Sequence, residues 1–536
     1  MAQLRTRGIQ WWRHVRTESV SRSRPRHARG RRLHDLLCTR PLTIRTDLVP
    51  PAVSVAEPGA GPGAGPSADR IVGASVYGRP MEDRWTPEHV LSLAPDAPSR
   101  KAATKLSTPA PWSATGADSV SLWGECKGSG STPYRTVVDL TGPAYHCSCP
   151  SRKFPCKHAL ALLLRWSGRE EGEAPIPDWA GAWLEARSAK SEQRAEREAD
   201  ASPAGPDAAA LLAAERRLTR RSARVAAGAA ELEARLADQV RAGLADAPTQ
   251  GYGPWGDVAA RMVDAQAPGL ASRARELGSV SASGPGWPSR LLEEYGLLHL
   301  LASGYRRVDS LPEALAATVR ARVGFTVDAA DVLRGPLVRD RWLVLGGRES
   351  VDEKLTTRRI WLRGSDSGRD ALLLGFGRPG VAPELSLPTG LLLDAELAFH
   401  PGARPLRAVL GTRFGAPMAP PEAQAVPPGL RLDAALDAYG QALGDDPWLE
   451  SWPVVLHRVV PTPTDLGWEL ADLAGPEPTA IPVDRRGTSD TGLWRLAAVS
   501  GGRPLTVFGE CGHRGFTPIT AWYQDGSRIC TLGVPS

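Results

Sequence analysis

Residues 145–166 read YHCSCPSRKFPCKHALALLLRW, a run that sets out Cys147, Cys149, Cys156 and His158 in the pattern C-x-C-x6-C-x-H and then continues as an apolar helix. Three thiolates and one imidazole make a complete tetrahedral zinc shell of the closed, structural type, with no position left for water or substrate. Side chains two apart in a regular strand or helix do not converge on one ion, so the C-x-C pair needs a local bend. Pro150 is suited to end a strand there, and Pro155 helps set the start of the helix. The spacing therefore predicts Cys156 just before the helix and His158 in its first turn. A helix N-terminus favours the negative charge of such a site, and Arg152, Lys153 and Lys157 add to that effect.

The competing reading is buried or disulfide-bonded cysteine. Disulfides need an oxidising compartment, and the N-terminus has no basic start followed by an uninterrupted apolar segment that would direct secretion. A cytoplasmic protein with one structural Zn2+ is the expectation.

Upstream, a strand is expected around Leu122 to Glu125, then a Gly/Ser turn, a strand from Tyr134 to Leu140, a Thr-Gly turn and a short strand ending at the first ligand. With these strands in front of it, the segment resembles the SWIM-type zinc finger of bacterial proteins, whose pattern is C-x-C, a variable gap and C-x-H. The resemblance spans about residues 110 to 170. It implies a ββ-zinc-α fold and zinc binding, with interaction with DNA or protein as the function.

Charge narrows the choice of partner. Residues 1–47 hold twelve Arg, no Lys and three acids, Glu18, Asp35 and Asp47, whereas the rest of the chain carries 53 basic and 56 acidic residues, a net of −3. A nearly neutral body provides no broad positive field to concentrate polyanions, so nucleic-acid affinity should be modest and salt-sensitive. The candidate contacts for nucleic acid or a partner are Arg152, Lys153, Lys157, Arg165 and Arg169.

Composition divides the chain. Residues 1–80 are Arg-rich, then Gly/Pro/Ala-rich, without core periodicity; a disordered tail is expected, with translation from Met81 as an alternative start. A short helical lead-in over 81–109 and the finger over 110–170 follow. A charged linker is expected over 171–206 and a helical domain over 207–323. In the latter, Leu218, Val225, Leu232, Leu236, Val240 and Leu244 recur at helical spacing. Arg216, Arg217, Arg220, Arg221 and Arg224 read as a solvated face. Residues 324–536 alternate short apolar runs with turns and predict a strand-rich α+β domain, with a helix near Leu432 to Leu443 and Trp residues packed in cores. The fold class is thus α+β multidomain.

No catalytic motif accompanies the finger. GECKGSGST lacks the Gly-Lys pair of a phosphate-binding loop, GSDSG has Asp where a nucleophile would stand, and no H-E-x-x-H occurs. Cys511 and His513 have only Cys530 and remote cysteines to complete a site. A non-enzymatic zinc protein that docks a protein partner is the leading reading, with DNA binding through the basic surface of the finger as the alternative.

Overall fold

The computed structural model describes residues 84–532, except positions 129, 152, 169, 201–207, 252, 352–354, 380–382, 384, 474–477, 524–525 and 527. The proposed tail, and with it Arg152 and Arg169, lies outside the described residues.

The lead-in forms two short helices. In α1 (Pro87–Ser92), the Thr86 side chain accepts from the His89 N–H and the His89 ring accepts from the Thr86 N–H, a reciprocal cap. In α2 (Ala97–Leu106), Asp96 caps the Ser99 N–H. The finger then builds β1 (Trp112–Ala117), β2 (Ser121–Cys126), β3 (Tyr134–Asp139) and β4 (Ala144–Cys147), paired antiparallel in chain order. Helix α3 (Lys157–Ser167) buries Leu160, Leu162 and Leu163, and its apolar surface meets Leu122 and Val138 on one side of the sheet.

Alternate residues of the same strands, Trp123 and Val137, face a second helix, α4 (Asp178–Asp200). Its Trp179, Ala180, Trp183 and Leu184 cover that side. The charged composition of 171–206 suggested a linker. The apolar residues at i, i+1, i+4 and i+5 form a stripe narrow enough to be lost among the charges, yet sufficient to seat the helix.

The helical region comprises α5 (Ala208–Ala242), α6 (Ala247–Gln250), α7 (Gly253–Asp264), α8 (Pro268–Val280), α9 (Trp287–Arg306) and α10 (Glu313–Val323). Val225, Leu232 and Leu236 of α5 enter a core with Trp255, Met262, Leu270, Leu298 and Leu301. Leu218 and Val240, on the same repeat, do not: both are exposed.

After α11 (Ala329–Leu333), five strands close into a barrel: β5 (Leu337–Val351), β6 (Thr356–Gly364), β7 (Asp370–Gly377), β8 (Leu392–Phe399) and β9 (Arg407–Arg413). Their order is β5-β6-β7-β9-β8, with β8 returning to β5 and only β7 and β9 parallel. Trp342, Ile360, Leu362, Leu373 and Leu393 fill the interior. Helix α12 (Leu432–Asp445) leads to β10 (Ser451–Thr464), β11 (Gly467–Asp472) and β12 (Thr479–Pro482). Helix α13 (Asp490–Ser500) and β13 (Leu505–Gly512), β14 (Gly515–Trp522) and β15 (Ile529–Thr531) complete the chain. These six strands form one antiparallel sheet, ordered β12-β11-β10-β13-β14-β15. Its Phe508, Ile519 and Trp522 pack on Leu343, Leu345 and Trp361 of the barrel exterior.

The barrel is the hub of the other parts. Thr389 donates its N–H to Ser92, and Leu391 enters the finger core. On the helical side, Ala403 donates its N–H to Thr318, while Arg322 pairs at 2.5 Å with Asp446, the residue that follows α12.

Candidate metal centre

The four ligands come from a strand end, a turn and a helix start. Cys147 ends β4 opposite Thr136, whose hydroxyl donates to its sulfur at 3.3 Å. The Ser148 N–H donates to the Arg135 carbonyl, while the Ser148 side chain accepts from the Arg135 N–H. These two bonds hold the C-x-C bend in place. Cys156 is the residue before α3, in extended conformation, and its carbonyl accepts the first helical bond from Leu160. His158 is the second residue of the helix, and its ring lies 5.0 Å from that of Tyr134.

One donor atom from each of Cys147, Cys149, Cys156 and His158 lies within 4.8 Å of all the others. Bond lengths of about 2.3 Å to sulfur and 2.0–2.1 Å to nitrogen at tetrahedral angles require S···N near ~3.6 Å. The separation of Cys147 Sγ from His158 Nδ1 is 3.7 Å. The donor set therefore fits a zinc ion in size as well as chemistry.

Electrostatics point the same way. The hydrogen bond from Cys156 holds the thiols of Cys147 and Cys149 well below their ordinary range, and the same bonds push that of Cys156 up. Three crowded sulfurs that cannot all ionise alone are a site built for a cation. For His158, burial acts downward, but the bonds from Cys147 and Cys149 outweigh it and raise the imidazole.

No other group of three or more His, Cys, Asp or Glu side chains is placed to hold a metal among the described residues. Cys126, Cys511 and Cys530 are buried, and burial pushes each thiol up, Cys511 to about 12.

The basic residues around the finger behave differently from the sequence expectation. Arg165 is not a surface contact: it is 6% exposed, its guanidinium is bound to the Glu171 carboxylate and, at 3.0 Å, to Glu170. Its place on the buried side of α3 requires a carboxylate partner, because an unpaired charge there is strongly unfavourable. Lys153 is paired with Asp96 at 2.5 Å. Lys157 is exposed. Thr136, Tyr134, Asp96 and Glu171 support the site from outside the motif, and no spacing in the sequence marked them.

Residues 134–167 match the SWIM zinc finger, and residues 220–323 match the SWIM-associated four-helix bundle domain. No curated protein matches the chain, and no solved structure does. The finger match falls on the strand, bend and helix that carry the ligands, and the bundle match falls on α5 to α10. The chain therefore carries a SWIM zinc finger and a SWIM-associated four-helix bundle domain, and the finger's ligand set is that of a structural zinc ion.

Proposed function

We propose that the protein is a non-catalytic, zinc-braced scaffold that docks a protein partner. A closed Cys3His shell does not activate water, so the ion serves shape and the function belongs to the surfaces it holds. The observation that carries this reading is the exposed start of α5. Leu211 and Leu218 are more than half exposed, yet they continue at seven-residue spacing the row that Val225 and Leu232 bury in the bundle. Helices in proteins draw most of their stability from packing an amphipathic face, and a partner along this row would complete its burial. No helix among the described residues is long and apolar enough to cross a membrane. A cytoplasmic setting is part of the reading, since reducing conditions keep zinc-ligating thiols available.

The test is affinity purification from the native host with the full chain and with Leu211→Asp/Leu218→Asp, scored together with zinc content and melting temperature. A partner lost with the leucines while both other measures hold supports the reading. A partner set unchanged by the substitutions sinks it.

The second reading, DNA binding at the finger, retains Lys157 but loses Arg165 to Glu171 and faces a Lys153 already paired with Asp96. An unchanged duplex-DNA affinity in Lys157→Glu would remove it.

A further inference from the structure

The barrel closes in the order first, second, third, fifth, fourth strand, with the third and fifth parallel. This is the Greek-key order of the OB barrel, in which the outer face of the second and third strands is the usual ligand surface. Topology alone does not give function, so the side chains on that face decide.

Arg348 of β5 lies opposite Arg359 of β6, which lies opposite Leu374 of β7; two positions on, Ser350, Thr357 and Phe376 form the next such row. Both rows point outward, because Ile360 and Leu362 of the alternate set fill the barrel and Arg358 is buried against Glu349. Phe376 is 53% exposed. Arg378 follows it at the end of β7, exposed. The Arg348 guanidinium reaches Gly487, next to the exposed Arg486: a Cβ added at Gly487 would meet Arg348 Nη1 at 3.1 Å.

Arg358 and Arg363 on β6 each hold a carboxylate, Glu349 and Asp370. Arg348, Arg359, Arg378 and Arg486 have no ion pair with a described carboxylate. Like charges directly opposite on neighbouring strands are unfavourable unless an anion lies between them. A basic surface with an exposed ring suits a ligand that has both repeated negative charge and free aromatic faces.

We propose that this outer face binds single-stranded nucleic acid, with phosphates on Arg348, Arg359, Arg378 and Arg486 and a base stacked on Phe376. This surface is distinct from the finger and from the α5 docking row. Four phosphate contacts on a single strand give a salt slope of about −3 in log affinity against log salt, and the near-neutral body keeps the affinity modest.

The experiment is photo-crosslinking of full-length protein to a thymidine oligonucleotide carrying 4-thiothymidine, with the crosslinked peptides mapped. A crosslink on the peptide containing Phe376 is expected. Phe376→Ala should lower its yield at subsaturating oligonucleotide about fivefold or more. Arg348→Glu/Arg359→Glu should abolish it, whereas Arg216→Glu/Arg220→Glu on α5 should leave it unchanged, all at wild-type zinc content and melting temperature. Crosslinks confined to residues 1–80 or to α5, or a barrel crosslink that survives the charge reversal, would overturn the proposal. Poly-glutamate that suppresses the barrel crosslink as well as unlabelled oligothymidine does, at equal charge, would also overturn it by assigning the face to acidic protein.

Discussion

The indole of Trp85 donates a 2.8 Å hydrogen bond to the carbonyl of Pro417, joining positions 332 residues apart. Its ring stands edge-on to Trp166 of α3, 5.8 Å away, so one side chain spans the finger helix and the chain beyond the barrel's last strand. Removal of residues 1–80 should therefore leave zinc content and melting temperature unchanged, whereas a start at Ala97 should lose Trp85 and destabilise the finger. Thermal melts with metal analysis of the two truncations check both halves.

One zinc per chain is expected in freshly purified protein. Cys149→Ser and Cys156→Ser should lose it, because each removes a ligand that has no substitute among the described residues. Loss of the ion should unfold β3 to α3 before the bundle and the barrel, since a unit this small draws much of its folding energy from the metal. Hydrogen exchange after chelation would resolve the order.

Arg165→Ala should destabilise by about 3–5 kcal/mol, because Glu171 would be left charged and buried. Lys157→Ala, on the exposed side of the same helix, should stay within about 0.5 kcal/mol. Denaturant midpoints of the two variants give the comparison.

His89 predicts an acid-sensitive step. Burial lowers its pKa to about 4 from 6.5, and its ring must be neutral to accept the Thr86 N–H. Because the folded value lies below the unfolded one, the stabilisation is complete above pH 6.5 and is lost as pH falls through about 4. The loss amounts to about 3 kcal/mol. The pH dependence of His89→Gln should be flatter than wild type by this amount over that window, with zinc occupancy followed in parallel.

Gly269 lies near the start of α8, where alanine would ordinarily stabilise a helix by up to about 1 kcal/mol. Here an added Cβ would lie 1.9 Å from the Arg322 carbonyl oxygen, a backbone atom of α10. Overpacking of this kind costs about 1–3 kcal/mol or more, so Gly269→Ala should lower the melting temperature of the bundle.

The finger was legible because its ligands are close in sequence and their spacing constrains geometry: Cys156 does precede the helix and His158 does fall in its first turn. Tertiary partners were not legible in the same way. Glu171, which removes Arg165 from the surface, and Asp96, 57 positions before Lys153, are ordinary acids in polar stretches. The strand-rich texture of 324–536 was readable from its apolar runs, but closure into a barrel depends on β7 meeting β9 at two residue pairs, which alternation does not encode. Tryptophans expected in cores include Trp342 and Trp522, both fully buried; Trp494 of α13 is 64% exposed, although Leu493 and Leu496 of the same helix are buried. The repeat along α5 predicted the burial of Val225 and Leu232, but not the exposure of Leu218 and Val240 on the same spacing.

Leu391, from the approach to β8, sits inside the finger's apolar interior, alongside Leu160 and Val138. The finger is consequently no interchangeable cassette. Cut out at its sequence boundaries, it would keep all four metal ligands yet leave with a hole in its interior, and the remaining protein would display an unmatched leucine. Grafting it onto another protein would require the 386–391 stretch to travel with it, and recombination between relatives should tolerate crossovers around the pair more readily than between them.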